Sequence, residues 1–351
     1  MEGVIDAPMR ELLTRVLPID FVVTEFFRIS SNVPPRRSYY DLCPELKTGG
    51  RTANGTPVLF QLLGGDAQLM AQAAERAVEL GALGVDINFG CPAPTVNRHD
   101  GGASLLRDSR RIELIVSAVR KALPTAIPVS AKLRLGWAST EDIDENARAA
   151  LNGGASWITI HARTRMQAYA PPVFWDRIGR VTSQTSAPVV ANGDIWNIDD
   201  VEKCVKMSGT RLLMLGRGLL ADPALAWRAA SWLGTPGYKG TQASFPSGSE
   251  GDVWSSLLKA LLDLRERYGR PSQGSVRVLK QWMAYRQKRN PFSGFDRLKL
   301  CESSDDFLRI LEEENCFSSN QQSDRINPEA KNRGQSSPWR WELGFGNTNP
   351  K

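Results

Sequence analysis

The sequence predicts an α/β protein, a (β/α)8 barrel of the TIM type followed by a small all-α domain. Two patterns lead there. Short β-rich runs recur every twenty to thirty residues up to residue 218, and amphipathic helical patterns fill the intervals. The runs read as apolar throughout, as expected of parallel strands covered on both faces. Eight strand-then-helix units over this length suit a closed barrel. The competing architecture, a doubly wound open sheet, lacks a glycine-rich dinucleotide fingerprint.

The expected strands are "GVI" at the very start, "DFVVTEF" (20–26), "PVLFQLLG" (57–64), "LGVDINFG" (83–90), "IPVSAKLRLG" (127–136), "SWITIHA" (156–162), "APVVANG" (187–193) and "RLLMLGRG" (211–218). Helical spacing is clearest in "DAQLMAQAAERAVELG" and "DSRRIELIVSAVRKAL", where apolar residues fall at i, i+3, i+4 and i+7. The barrel domain is expected over 1–235. A Gly/Ser/Pro linker follows over 236–252, then a helical domain over 253–316 built on "VWSSLLKALLDLRERY" and "SVRVLKQWMAYRQK". Residues 317–351 are too polar to fold alone and read as a disordered tail, in which Trp339 and Trp341 have no assigned part.

Composition narrows the class. The 351 residues are 41% apolar and 23% charged, as in soluble globular proteins, and no apolar run approaches the roughly 20 residues of a membrane span. The start "MEGVIDAPMR" has no basic-then-apolar signal, so a cytoplasmic monomer with no membrane association is expected. Five scattered cysteines and two histidines show no metal-ligand spacing, so no metal is expected either. Residues 261–300 carry ten Lys and Arg against three Asp and Glu, and the net charge of the whole chain is +6. A near-neutral body with one basic end implies a polyanionic partner at that end.

In a barrel, side chains at the C-terminal ends of the strands converge on one site. In order, those ends carry Gln61, Asn88 with Cys91, Lys132 with Arg134, His161, "ANGD" (191–194) and "LGRG" (215–218). The last two stretches follow strands seven and eight, where backbone N–H groups commonly hold phosphate. Arg217 adds a charge able to clamp phosphate oxygens.

"FQLLG", "VDINFGCPAPTVN", "AKLRLGW", "IHART", "ANGDIW" and "LGRG", in this order and spacing, resemble a tRNA-dihydrouridine synthase over roughly residues 1–300. The N-x-G-C-P loop followed by "GGASLL" is the most specific element. "EFFRIS" and "KLRLGW" are most similar to the bacterial C-type enzymes, which act on D-loop position 16. The resemblance implies tRNA as substrate, bound FMN, NADPH as reductant, and reduction of the uracil 5,6 double bond. It implies cofactor contacts from Met1, Glu2, Gln61, Lys132, His161, Asn192, Gly193, Asp194, Gly216 and Arg217. Substrate contacts are implied for Arg28, Asn88, Asn97, Arg134, Tyr169, Arg277, Lys280, Gln281 and Lys288.

Elementary chemistry agrees. The reduction needs a hydride at C6 and a proton at C5 from an acid on the opposite face. A free thiol, with a pKa near 8.5, is mostly protonated at neutral pH, so Cys91 can be that acid. Pro92 stiffens its loop. Lys132 can pair with a reduced flavin or with a carboxylate of the barrel. Gln61 can meet the flavin pyrimidine edge or be a satisfied core amide. His161 can polarise the flavin, touch its phosphate or be a structural imidazole. Asn88 can pair with the uracil imide edge and Arg134 with a carbonyl, while Tyr169 either reaches the base or stabilises its loop. In "RVLKQWMAYRQK", Arg277, Lys280, Gln281 and Lys288 fall on one helical face, and Val278, Leu279, Trp282 and Met283 on the other.

Two departures from the family stand out. Family members start several residues earlier, so a shortened first strand without its flavin-contacting Pro is expected here. The family's appendix Arg lies two residues before its Lys, whereas Arg277 lies three before Lys280. Two other functions stay open at this point: an FMN barrel acting on a free pyrimidine, similar to dihydroorotate dehydrogenase, and a non-catalytic tRNA-binding protein.

Overall fold

The computed structural model describes residues 3–98, 100–234, 245–313 and 317. Its strands are β1 (Val22–Val23), β2 (Phe27–Arg28), β3 (Val58–Leu63), β4 (Val85–Asn88), β5 (Val129–Arg134), β6 (Trp157–His161), β7 (Val189–Asn192) and β8 (Leu213–Met214). They pair in parallel in the order β1-β3-β4-β5-β6-β7-β8, with β2 also on β3. The helices up to β8 are α1 (Ala7–Val16), α2 (Arg36–Leu42), α3 (Ala67–Glu79), α4 (Pro94–Arg98), α5 (Ser109–Ala122), α6 (Asp142–Asn152), α7 (Trp175–Gln184) and α8 (Ile198–Ser208). A curled parallel sheet with strand-to-helix alternation is the expected barrel class.

Helices begin where the sequence supplies acceptors for their first N–H groups. Asp66 accepts from the Leu69 N–H at 2.8 Å to start α3, and Asp108 accepts from the Arg111 N–H to start α5. Asn197 and Asp200 form a reciprocal capping box on α8.

The expected first strand is not one. Gly3 turns at φ +74°, the Val4 N–H donates to the Glu25 carboxylate at 3.1 Å, and Asp6 already caps α1. A turn and a cap consume the residues a strand would need. The 20–26 run is also interrupted: the Thr24 hydroxyl accepts the Gln61 N–H at 2.9 Å, and β1 and β2 stand in place of one strand. Among the described residues, no ladder joins β8 to β1.

The strands are also less uniformly apolar than their sequences suggest. On β4, Asp86 and Asn88 alternate with Ile87; on β5, Ser130, Lys132 and Arg134 alternate with Ala131 and Leu133; on β6, Thr159 and His161 alternate with Ile158 and Ile160. The apolar set belongs to the main buried cluster with the surrounding helices, so the polar set lines the interior of the barrel.

Beyond β8 come α9 (Arg217–Ala221), α10 (Leu225–Trp232), α11 (Glu250–Arg267), α12 (Ser272–Arg289), α13 (Phe295–Leu298) and α14 (Ser304–Glu312). They share a second apolar cluster with α1. Leu279, Trp282 and Met283 of α12 are buried in it with Val278 at its margin, while Arg277 and Lys288 are exposed and Lys280 and Gln281 half-buried. Trp282 packs edge-on against Trp254 at 5.5 Å and donates from Nε1 to the Leu220 carbonyl at 2.8 Å, which ties α12 to the segment just after β8. Arg265 pairs with Asp6, and the Tyr268 hydroxyl donates to Glu11, so α11 also holds α1. The expected tail, apart from residue 317, lies outside the described residues, as do 235–244 of the linker region.

Trp282→Ala removes a fully buried ring and its hydrogen bond. It should cost about 3–5 kcal/mol in urea unfolding, or split the transition into two as the helical segment separates from the barrel. A loss below about 1 kcal/mol would mean that the ring is not the joint between the two clusters.

Candidate active site

The loop after β4 is held by its own polar side chains. Asn88 Oδ1 accepts the backbone N–H groups of Gly90 and Cys91, both at 2.9 Å. The Ala103 N–H donates to the Cys91 carbonyl at 3.1 Å, which folds the loop back on itself. Asn97 bridges the return: its Nδ2 donates to the Ala93 carbonyl at 3.0 Å, and its Oδ1 accepts the Ser104 N–H at 2.9 Å. Gly102 lies at φ +60°, and a Cβ there would come within 2.9 Å of Val96 Cγ1 and 3.0 Å of the Cys91 carbonyl oxygen.

Of the four described cysteines, Cys91 alone is only half-buried; burial pushes the thiols of Cys43 and Cys204 up, Cys204 to about 12. Those two are inert core thiols, and Cys91 is the one presented at a strand end.

Beneath the loop lies a cationic floor. Lys132 Nζ donates to Asn192 Oδ1 at 3.0 Å, and Asn192 Nδ2 donates to the Met214 carbonyl at 2.7 Å. Burial, with Arg134 beside it, pulls the Lys132 ammonium below its ordinary pKa, and Asp86 partly offsets this. Asp194, at φ +50° in "ANGD", pairs with Arg163 and, at 3.1 Å, with Arg217. Burial pushes the Asp194 carboxyl up, but these two arginines outweigh it and hold the group below its usual range. Gly193, at φ +114°, lies against His161, where a Cβ would come within 2.5 Å of Cδ2.

His161 stands amid this charge. Burial, then Arg134, Lys132, Arg163 and Arg217, hold its imidazole well below the ordinary pKa, so it is neutral. The carboxylates tied into this group are Asp86 and Asp194, which leaves two positive charges in excess. Nε and Nη1 of the fully buried Arg163 and the Thr159 hydroxyl have no hydrogen-bond partner. Unspent donors beside a surplus of two charges suit a dianionic phosphate group.

Tyr169 forms the outer wall. It is 52% exposed, with the Arg217 guanidinium 4.4 Å and the Arg134 guanidinium 5.3 Å from its ring centroid. Arg134 is buried and committed to the scaffold: Nε donates to the Gly90 carbonyl at 2.7 Å, and Nη1 to the carbonyls of Thr164 at 3.1 Å and Ala168 at 2.7 Å. It thereby ties the loops after β4 and β6 together.

Gln61, Asn88, Cys91, Lys132, Arg134, His161, Tyr169, Asn192, Gly193, Asp194 and Arg217 are thus gathered at one mouth. Gly216 begins α9 there, accepting the Leu219 N–H at 3.0 Å. Arg28 is exposed at the rim and reaches the Thr95 carbonyl of the Cys91 loop at 3.4 Å. Arg277, Lys280, Gln281 and Lys288 lie on α12 and not on a strand of the barrel. Met1 and Glu2 lie outside the described residues.

The sequence reading missed Asp86, Ser130 and Arg163; the polar–apolar alternation on β4 and β5 is the signal that marks the first two. It also missed Tyr285 of α12, whose phenol burial pushes up while the Arg217 charge opposes the rise. A cavity of 650 Å³ on the outer rim, lined in part by Arg107, Arg110 and Trp137, includes none of the strand-end residues. Among the described residues, no group of three or more His, Cys, Asp or Glu gathers to hold a metal, and no helix is long and apolar enough to cross a membrane.

Gly102→Ala should disturb the site more than the fold. The added methyl group, at a positive φ, must push the Cys91 carbonyl or Val96 aside. Activity should fall about tenfold or more, with thermal unfolding lowered by only a few degrees. Full activity in this variant would show that the Cys91 loop tolerates displacement.

The family model for dihydrouridine synthase matches residues 1–316. The chain is 39% identical over 317 residues to the tRNA-dihydrouridine(16) synthase of Shewanella oneidensis, covering 89% of this chain and 96% of the relative. It is 40% identical to the enzyme of that name from Aquipseudomonas alcaligenes, over 88% of this chain and 97% of the relative. The corresponding Ralstonia nicotianae protein is 40% identical over 89% of this chain and 93% of its own. With a strand-end thiol, a cationic floor and a basic helical segment on one chain, these matches establish that the protein belongs to the dihydrouridine synthase family.

Proposed function

We propose that the protein reduces uridine to 5,6-dihydrouridine at position 16 of the tRNA D-loop, with FMN as resident cofactor and NADPH as reductant. Family membership supports the reaction class, and the names of the relatives support position 16. The observation that carries the chemistry is the Cys91 thiol, half-buried on a strand-end loop anchored by Asn88. Acting on a free pyrimidine would leave the basic face of α12 without a purpose, and RNA binding alone would leave the enclosed cationic floor without one.

The floor suits FMN. Arg217, Arg163 and the backbone N–H groups around Gly193 would hold its phosphate, with the Asp194 carboxylate orienting the two arginines. Lys132 would meet the anionic part of the reduced ring system, and Gln61 the pyrimidine edge. When bound, the flavin supplies the hydride received at C6 of the uracil. Cys91 donates the proton to C5 from the other face, and the thiolate left behind is reprotonated from solvent. Tyr169, flanked by Arg134 and Arg217, offers an aromatic face for the extruded base. Neutral His161 adds no further charge to the floor. Arg277, Lys280, Gln281 and Lys288 meet RNA phosphates, which position the substrate without reading its sequence.

Cys91→Ala should still oxidise NADPH and bind tRNA, yet lose about 10²–10⁴-fold in dihydrouridine formation. Near-normal turnover on tRNA would remove Cys91 as the acid.

Lys280→Gln combined with Lys288→Gln should weaken tRNA binding and make the log K against log salt slope shallower by about one for each lost contact. An unmoved slope would take α12 off the RNA surface. Sequencing-based mapping of dihydrouridine in rescued cells tests position 16 directly, and modification elsewhere would overturn that part of the reading.

A further inference from the structure

Asp86 lies on β4, two residues before Asn88 and therefore on the same inward face. It is 1% exposed and pairs in register with Gln61 of β3 and Ser130 of β5. Its Oδ1 accepts the Ser130 hydroxyl at 2.6 Å, and its Oδ2 accepts Gln61 Nε2 at 2.6 Å. Gln61 Oε1 accepts Asn88 Nδ2 at 2.9 Å, and Asn88 Oδ1 accepts the Gly90 and Cys91 N–H groups. An unbroken chain of hydrogen bonds runs from a buried carboxylate to the backbone of Cys91.

The direction of this chain is determined at both ends. An ionised carboxylate can only accept, and two backbone N–H groups can only donate. The two amides between them have one arrangement that satisfies every group: Gln61 turns its NH2 toward Asp86, and Asn88 turns its NH2 toward Gln61. Flipping either amide would set donor against donor and leave a buried polar group unpaired, which costs about 1–3 kcal/mol. Burial raises the Asp86 pKa, and the Ser130 and Gln61 hydrogen bonds and the Lys132 charge oppose that rise. Both of its oxygens act as acceptors, as an ionised carboxylate's do.

We infer that Asp86 is a positioning residue: through Gln61 and Asn88 it orients the backbone of the Cys91 loop and so places the thiol for proton delivery. The catalytic part of this inference rests on the reading of Cys91 as the acid, but the relay itself does not.

Hydrogen exchange followed on peptides of the full-length protein tests the relay without substrate. Asp86→Asn can present either an oxygen or an NH2 to Gln61, so the direction of the chain is no longer set. Exchange at Gly90 and Cys91 should speed up about tenfold, the scale of one lost net hydrogen bond, while β6 keeps its rate. The double variant Asp86→Asn with Gln61→Glu restores an acceptor-only group beside Asn88 and should restore slow exchange at the loop. With tRNA, Asp86→Asn should lower kcat and leave KM unchanged, because the loop positions a proton donor and does not hold the RNA. Unchanged exchange at the loop, a uniform increase across the barrel, failure of the double variant to restore protection, or a rise in KM at constant kcat would each overturn the inference. Loss of loop protection in a protein whose Cys91→Ala variant remains active would leave the relay standing and remove the proton-transfer reading alone.

Discussion

The Asp86 carboxylate is enclosed by β3, β4 and β5, and the cost of leaving such a charge unsatisfied constrains everything above it. Its two oxygens take a serine hydroxyl and a glutamine amide, and the glutamine in turn directs Asn88. The loop that carries Cys91 is therefore built outward from the interior of the barrel. Surface loops are commonly mobile, but this one has its first N–H groups tied to a side chain that is itself held in place from below.

The same requirement operates on the positive side of the site. Lys132, Arg163 and Arg217 lie near one another, and repulsion among them is offset by Asn192, Asp194 and Asp86 without being cancelled. A positive residue of charge favours an anionic ligand. At His161, burial first and then the neighbouring cations hold the imidazole well below its ordinary pKa. Fold and electrostatics thus make the floor a place for negative charge, while the loop after β4 presents a half-buried thiol.

The helical segment is joined to this arrangement through packing. Trp282 is bonded to the Leu220 carbonyl in α9, the helix that starts at Gly216 and Arg217. A residue that touches the floor and a helix with an exposed basic face are therefore parts of one rigid connection. Tyr285, on the same helix as Lys280 and Lys288, lies within the electrostatic reach of Arg217. The position of the basic face of α12 relative to the segment after β8 is thereby set by packing.

Much of the molecule was legible in the sequence because its signals are local. Apolar runs and helical periodicity identify elements without knowledge of their neighbours, and the Cys91 loop carries a pattern of its own. "GVI" was misread because three apolar residues cannot show that Asp6 caps the next helix and that Glu25 takes the Val4 N–H. The roles of polar residues were the least legible. Asn88 and Arg134 offer polar groups that suit a uracil, yet both are largely spent on the scaffold: Asn88 donates to Gln61 and accepts the N–H groups of Gly90 and Cys91, and Arg134 donates to the carbonyls of Gly90, Thr164 and Ala168. Residue type and strand-end position determined which groups meet. Only the register of neighbouring strands, which sets Gln61 beside Asp86 and Asn88 beside Lys132, decided which of them face each other and which remain for a ligand. A hydrogen bond depends on the positions of two atoms, and one strand's sequence supplies only one of them.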